Sequence, residues 1–222
     1  MLETLLPRVK FDALWSATAD TLYMTAISGI ATFVLGLGIG ALLFLTSPGQ
    51  LMAQGAVYRA LSALVNVLRA IPFIILLVLL LPFTKAVVGT ILGVNAALPA
   101  LIVGTAPFYA RLVEIAFREV DRGVIEAVRA MGGGIPTVLL RVLIPESAPA
   151  LVSGMTVTLI ALVSFTAMAG VIGAGGLGHL AYLEGFQRNN RQVTFAATFV
   201  ILIIVFAIQL TGDRLTRALD KR

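Results

Sequence analysis

Cysteine is missing from this 222-residue chain, and histidine occurs once, as His179. Disulfides and thiolate metal sites are thereby excluded, and a histidine metal cluster cannot be built within one chain. Charge is scarce as well. Asp, Glu, Lys and Arg make up 12% of the residues, against about 25% in soluble domains. No glycine is followed by lysine, so the chain has no Gly-Lys-Ser/Thr loop to cradle the phosphates of ATP. Neither a metal nor any other cofactor is expected.

Apolar side chains fill the place of charge. They account for 59% of the residues, and the mean hydropathy is +1.02. Apolar runs near twenty residues long mark an integral membrane protein. The net charge of +5 comes from Lys and Arg that flank these runs, so it indicates a basic cytoplasmic face and not a nucleic-acid partner. The first twenty residues mix Glu3, Arg8, Lys10, Asp12 and Asp20 with apolar residues. That is unlike a cleavable signal peptide.

Five spans are expected, at roughly Thr21–Leu45, Val57–Phe83, Ala86–Ala110, Pro149–Ile172 and Val193–Thr211. Each is long enough to cross ~30 Å of hydrocarbon as a helix. Lipid offers the backbone no hydrogen-bond partners, which favours helices, and the runs lack the alternation of a β-barrel. The expected fold is an all-α integral membrane protein, one transmembrane domain over residues 1–222. Ten Lys and Arg lie on one side of the spans, among them Arg59, Arg111, Arg118, Arg141, Lys221 and Arg222. Five lie on the other: Arg8, Lys10, Lys85, Arg188 and Arg191. The positive-inside bias puts the amino terminus outside and the carboxyl terminus in the cytoplasm.

Residues 111–146 do not cross the membrane on this reading. They hold five arginines and five acids, each costing roughly 2.5–3.5 kcal/mol at a bilayer centre. The segment nevertheless carries helix signals. Asp121 is an N-cap, and Val124, Ile125, Val128 and Met131 share a face, with Arg122, Glu126 and Arg129 opposite. The glycine triplet Gly132–Gly134 ends this short helix. Pro136 opens a second helix, and Pro145 closes it. Such a segment is either an amphipathic hairpin on the lipid surface or a rigid element that docks in a partner's groove.

Its residues favour docking. Glu126, Ala127 and Val128, then Gly132, then Val142, Leu143, Ile144 and Pro145 resemble the EAA loop of bacterial ABC-importer permeases. That motif is Glu-Ala-Ala, three residues, Gly, nine residues, then Ile-x-Leu-Pro. Val128, Val142 and Ile144 are conservative departures from it. The resemblance extends to "RAIPFIILL", "TAPFYARLVEIAFREVD" and "SFTAMAGVIGAGGLG", which look like the methionine-uptake permeases of this group. It covers the chain from roughly Thr21 to Gln209.

The resemblance implies a type I importer permease of five helices, with a coupling loop at about residues 118–146 that docks on a separate ATPase. Contact would fall to Glu126, Ala127 and Gly132, with Arg122, Arg129 and Pro145 beside them. It implies a homodimer, two ATP-binding cassette subunits and an extracytoplasmic substrate-binding lipoprotein, set in the lipid of a bacterial inner membrane. The subunit itself would be non-catalytic. The cargo it implies is an amino acid, methionine in its D or L form. Another small solute is the alternative. A proton-coupled secondary transporter is a weaker rival, because the spans hold no secure acid and five helices do not halve into repeats. An intramembrane enzyme would need paired acids, cysteine or metal ligands.

Candidate pathway residues are Asn66 and Arg69 in the second span and Ser164, Phe165, Thr166 and Met168 in the fourth. Snorkelling for the first pair and core packing for the second group are the alternatives. Met168 is a candidate gate, because its unbranched side chain repacks readily. "GAGGLG", residues 173–178, matches a dinucleotide fingerprint in spelling only, since a whole span and not a strand precedes it. It is expected to form a close-packed turn. The GxxxG pairs Gly36/Gly40 and Gly89/Gly93 are expected to pack helices within the subunit.

Overall fold

The computed structural model describes residues 9–220. Arg8, Lys221 and Arg222, which enter the charge count, and Glu3 lie outside the described residues. Every regular element among those described is helical. They are α1 (Phe11–Thr46), α2 (Gly55–Ala70), α3 (Phe73–Leu79), α4 (Leu81–Val88), α5 (Val94–Arg118), α6 (Arg122–Ala130), α7 (Ile135–Val138), α8 (Ile144–Val171), α9 (Gly176–Leu180) and α10 (Arg191–Leu219). A π-helical turn, Leu139–Leu143, joins α7 to α8, and another, Ala181–Gln187, follows α9. Four helical stretches are long and apolar enough to cross a membrane, or five if the bent pair α2–α3 counts as one span.

Several boundaries differ from expectation: α1 starts at Phe11 and not near Thr21, and three other differences have a backbone reason. The second span is not one helix: it breaks at Ile71–Pro72 and bends by 105°. Proline supplies no N–H and disfavours helical geometry in the residue before it. Pro72 instead opens α3 in an extended conformation, with φ −55° and ψ 134°. The third helix starts at Val94, not Ala86, because Gly89 and Gly93 hold left-handed φ of 83° and 89°. It also runs on to Arg118, so Arg111 and Glu114 belong to a helix and not to a loop. Pro145, third, closes nothing. The turn before it is widened, the Ile144 N–H reaching back to the Leu139 carbonyl. That i to i+5 spacing accommodates the proline near the start of α8.

The chain forms two compact units. One takes in the chain up to Ala31, Ile71–Gly104 and Leu159–Gln209. Its core gathers Met24, Phe73, Leu101 and Leu162, with Phe165 stacked on Phe73 at 4.4 Å. At its glycine-rich turn, Gly173, Gly175 and Gly176 have positive φ. The Leu177 N–H donates to the Thr21 hydroxyl at 2.9 Å. His179 Nδ1 lies 3.0 Å from the Gly170 carbonyl, so the lone histidine serves this turn.

The other unit takes in Thr32–Ala70, Thr105–Thr158 and the chain from Leu210. Its core gathers Phe44, Tyr109, Val113, Phe117, Ile125, Val138 and Leu143. Gly36 and Gly40 let α1 meet α5 here. A Cβ on Gly36 would stand 2.7 Å from the Tyr109 ring, and one on Gly40 would stand 2.6 Å from the Ala110 carbonyl. The second GxxxG is not a packing motif: Gly89 and Gly93 are loop residues, and a Cβ on either would meet nothing within 4 Å except open space.

Candidate functional site

The candidate coupling segment is built on a half-buried short helix. The Asp121 side chain accepts from the Gly123 N–H at 2.7 Å and so satisfies one orphan donor at the start of α6. Ile125 is buried among the core residues, and Val128 packs against them. Val124 and Met131, expected on that same face, are 41% and 79% exposed. A nine-residue helix resting on a core needs only two anchors, and residues a turn-third away from them swing outward.

The outward surface of α6 therefore has two edges. Val124, Ala127 and Met131 form an apolar one; Arg122, Glu126 and Arg129 form a charged one. All six are exposed. These charges do not pair with one another. Among the described residues no ion pair joins Glu126 to either arginine. Gly132, at φ 85°, then turns the chain in a conformation that suits glycine alone. The Gly132 and Gly133 N–H groups return to the Arg129 and Val128 carbonyls, both at 2.9 Å. Pro145 lies at the start of α8, after the buried Val142 and Leu143.

Sequence reasoning missed the cluster that holds this region together. Glu114 is buried, and its carboxylate takes Arg111 at 2.5 Å and Arg118 at 2.7 Å. The Tyr58 hydroxyl donates to Glu114 at 3.2 Å. Arg111 also donates to Ser62 at 2.9 Å and to Asn66 at 2.8 Å. These bonds tie the polar stripe of α2 to the end of α5 just before the coupling segment. The signal was present in the spacing Arg111, Glu114, Arg118, which puts three charges on one helical face. Their placement in a loop hid it.

The pathway candidates divide by burial. Asn66 and Arg69 are exposed on α2, and Arg69 lies over the Phe108 ring with Cζ 5.7 Å from its centroid. On α8, Ser164 and Met168 are exposed one turn apart. Thr166 is buried and donates to the Val163 carbonyl at 2.7 Å, while Phe165 is held in its stack. The α2 and α8 candidates fall in different units.

This arrangement has close counterparts. The chain is 61% identical over 222 residues, 100% of both chains, to "Methionine import system permease protein MetP" of Bacillus subtilis (strain 168). It is 48% identical over 203 residues to "D-methionine transport system permease protein MetI" of Escherichia coli (strain K12), covering 91% of this chain and 94% of that one. Among solved structures it matches one described as "Inward facing conformations of the MetNI methionine ABC transporter: CY5 native crystal form". That match has a TM-score of 0.93 and 46% identity, and it covers 95% of this chain and 98% of the other. The fold is therefore that of a type I importer permease, as the motif resemblance implied. A family model described as "Binding-protein-dependent transport system inner membrane component" matches residues 33–222, and the chain belongs to that family.

Proposed function

We propose that this chain is the permease subunit of an ATP-driven importer that carries methionine across the bacterial inner membrane, with the energy supplied by a separate ATPase. The observation that carries the coupling reading is the outer surface of α6. Glu126 stands there exposed and unpaired beside an apolar edge, while the other side of the same helix is anchored in the core through Ile125. A surface helix that needed only solvent would gain nothing from an exposed Val124, Ala127 and Met131 next to a free carboxylate. A partner groove with an apolar wall and a basic residue fits both edges.

The cargo reading rests on full-length similarity to permeases named for methionine import. Two copies of the chain, two ATPase subunits and an extracytoplasmic binding lipoprotein complete the transporter. Its amino terminus faces outward and its carboxyl terminus the cytoplasm, as the distribution of Lys and Arg favours. ATP binding draws the two coupling segments together and turns the permease outward to receive the amino acid; hydrolysis returns it inward. Each ligand acts by its differential affinity for the two states. The candidates for the transporter's pathway are Asn66, Arg69, Ser164, Phe165, Thr166 and Met168, with Met168 as the gate.

The test is Glu126→Arg in the full complex. A like charge against a basic groove should lower motor-driven uptake at least about tenfold. Membrane insertion and thermal stability of the permease should remain unchanged. Uptake that persists in this variant would contradict the docking role.

A further inference from the structure

Three arginines of one unit, Arg69, Arg111 and Arg118, lie along the facing parts of α2 and α5, and they are treated differently. Arg111 and Arg118 share the carboxylate of Glu114. Arg69 has no carboxylate partner among the described residues, and its one described contact is with the ring of Phe108.

Phe108 gives the depth of that charge. At 1.5 Å per residue it stands about 15 Å from the Arg118 end of α5 and about 21 Å from Val94. The hydrocarbon layer is about 30 Å thick. The guanidinium itself meets the ring, and the expected apolar span runs on to Ala110, so the charge lies inside the span toward its Arg111 end. Hydrocarbon does not solvate a guanidinium, and among the described residues no fixed anion neutralises it. An intramembrane cation in that condition faces a bundle interior or a water-filled path.

We propose that Arg69 is the carboxylate contact of the translocation pathway, taking the α-carboxylate of the amino acid as it passes. The proposal rests on the amino-acid reading above. A guanidinium offers five N–H donors in a planar fork that matches a carboxylate. Phe108 attracts the cation through its π electrons and uses none of those donors. A permanently paired arginine, such as Arg111, would be silent toward cargo. The same stripe of α2 carries Tyr58, Ser62 and Asn66, so Arg69 is the last polar residue before the helix breaks at Ile71.

The absence of cysteine makes a direct test possible, since Arg69→Cys introduces the only thiol of the permease. The variant is reconstituted in liposomes with its cognate ATPase and binding protein, the wild-type complex treated identically as background. Methionine uptake should fall at least about tenfold, with ATP hydrolysis kept within about twofold. Aminoethyl methanethiosulfonate, which returns a positive charge, should restore much of the uptake; the anionic sulfonatoethyl reagent should not. Undiminished uptake, equal rescue by both reagents, or parallel loss of ATP hydrolysis would overturn the proposal. So would a thiol that reacts with neither reagent, a readout that does not depend on the cargo. A wild-type complex that hydrolyses ATP but takes up no methionine would instead overturn the choice of cargo, and the reactivity of the introduced thiol would still decide whether this position meets water.

Discussion

Glu114 stands between two guanidinium groups, and removing its carboxylate would leave Arg111 and Arg118 facing each other across the space it fills. Breaking a buried ion pair from one side costs about 3–5 kcal/mol, and the partial exposure of Arg118 places this case near the lower end. Glu114→Ala should therefore lower the unfolding temperature of the detergent-solubilised permease by several degrees. Glu126→Ala, at an exposed and unpaired position, should leave it unchanged. Equal effects from the two would contradict the assignment of one to structure and the other to a partner. Two glycines of α1 offer a second contrast. Gly40→Ala would press a methyl against the Ala110 carbonyl and Val113, both at 2.6 Å, and should cost about 1–3 kcal/mol. Gly38 has nothing within 4 Å, so Gly38→Ala should be neutral or stabilise by up to about 1 kcal/mol. The same thermal measurement separates them. At this scale spelling was an uneven guide. Gly36/Gly40 and Gly89/Gly93 have the same pattern, yet one pair packs helices and the other turns a loop, because spacing does not report φ.

At the scale of elements, the capped α6 is the piece on which the proposed coupling depends. Its cap bond, Asp121 to the Gly123 N–H, is worth about 1 kcal/mol. Asp121→Ala should speed amide exchange across Arg122–Ala130 about fivefold, with peptides of α5 and α8 unaffected. Exchange that is unchanged in α6 would mean that tertiary packing alone holds it. Both the cap and the helix were legible in the sequence, because an acid before a periodic apolar pair is a local signal. The break in the second span was less so. "RAIPFIILL" is apolar almost throughout, and its Pro72 could have made a tolerated kink as readily as the 105° bend observed. The fate of Pro145 was hidden for a related reason. A proline stops a helix only if the turn before it keeps α spacing, and here that turn is π-helical. Glu114 escaped notice because apolarity, not charge, set the expected end of the third span.

For the whole molecule, sequence patterning marked a multi-helix membrane protein but not which apolar surface meets lipid and which meets a second copy. Phe195, Phe199 and Phe206 are 72%, 65% and 62% exposed on α10. Hydrophobicity is the same answer to a lipid chain and to a neighbouring helix, so such residues carry no label in the sequence. The motif of the coupling segment is different in kind, because charge, a capped helix and a left-handed glycine in one apolar chain have no use in lipid. On the proposed coupling, that segment makes the permease one part of a larger machine, and the decisive experiment treats it so. Labelled methionine uptake is measured in cells lacking their own methionine transport, with this chain expressed beside its cognate ATPase and binding protein. A parallel strain carries an ATPase unable to hydrolyse ATP. Uptake that requires the working ATPase and is competed by unlabelled methionine is the result predicted. An assembled complex that hydrolyses ATP yet takes up no methionine would contradict the cargo, and uptake indifferent to the ATPase would contradict the coupling.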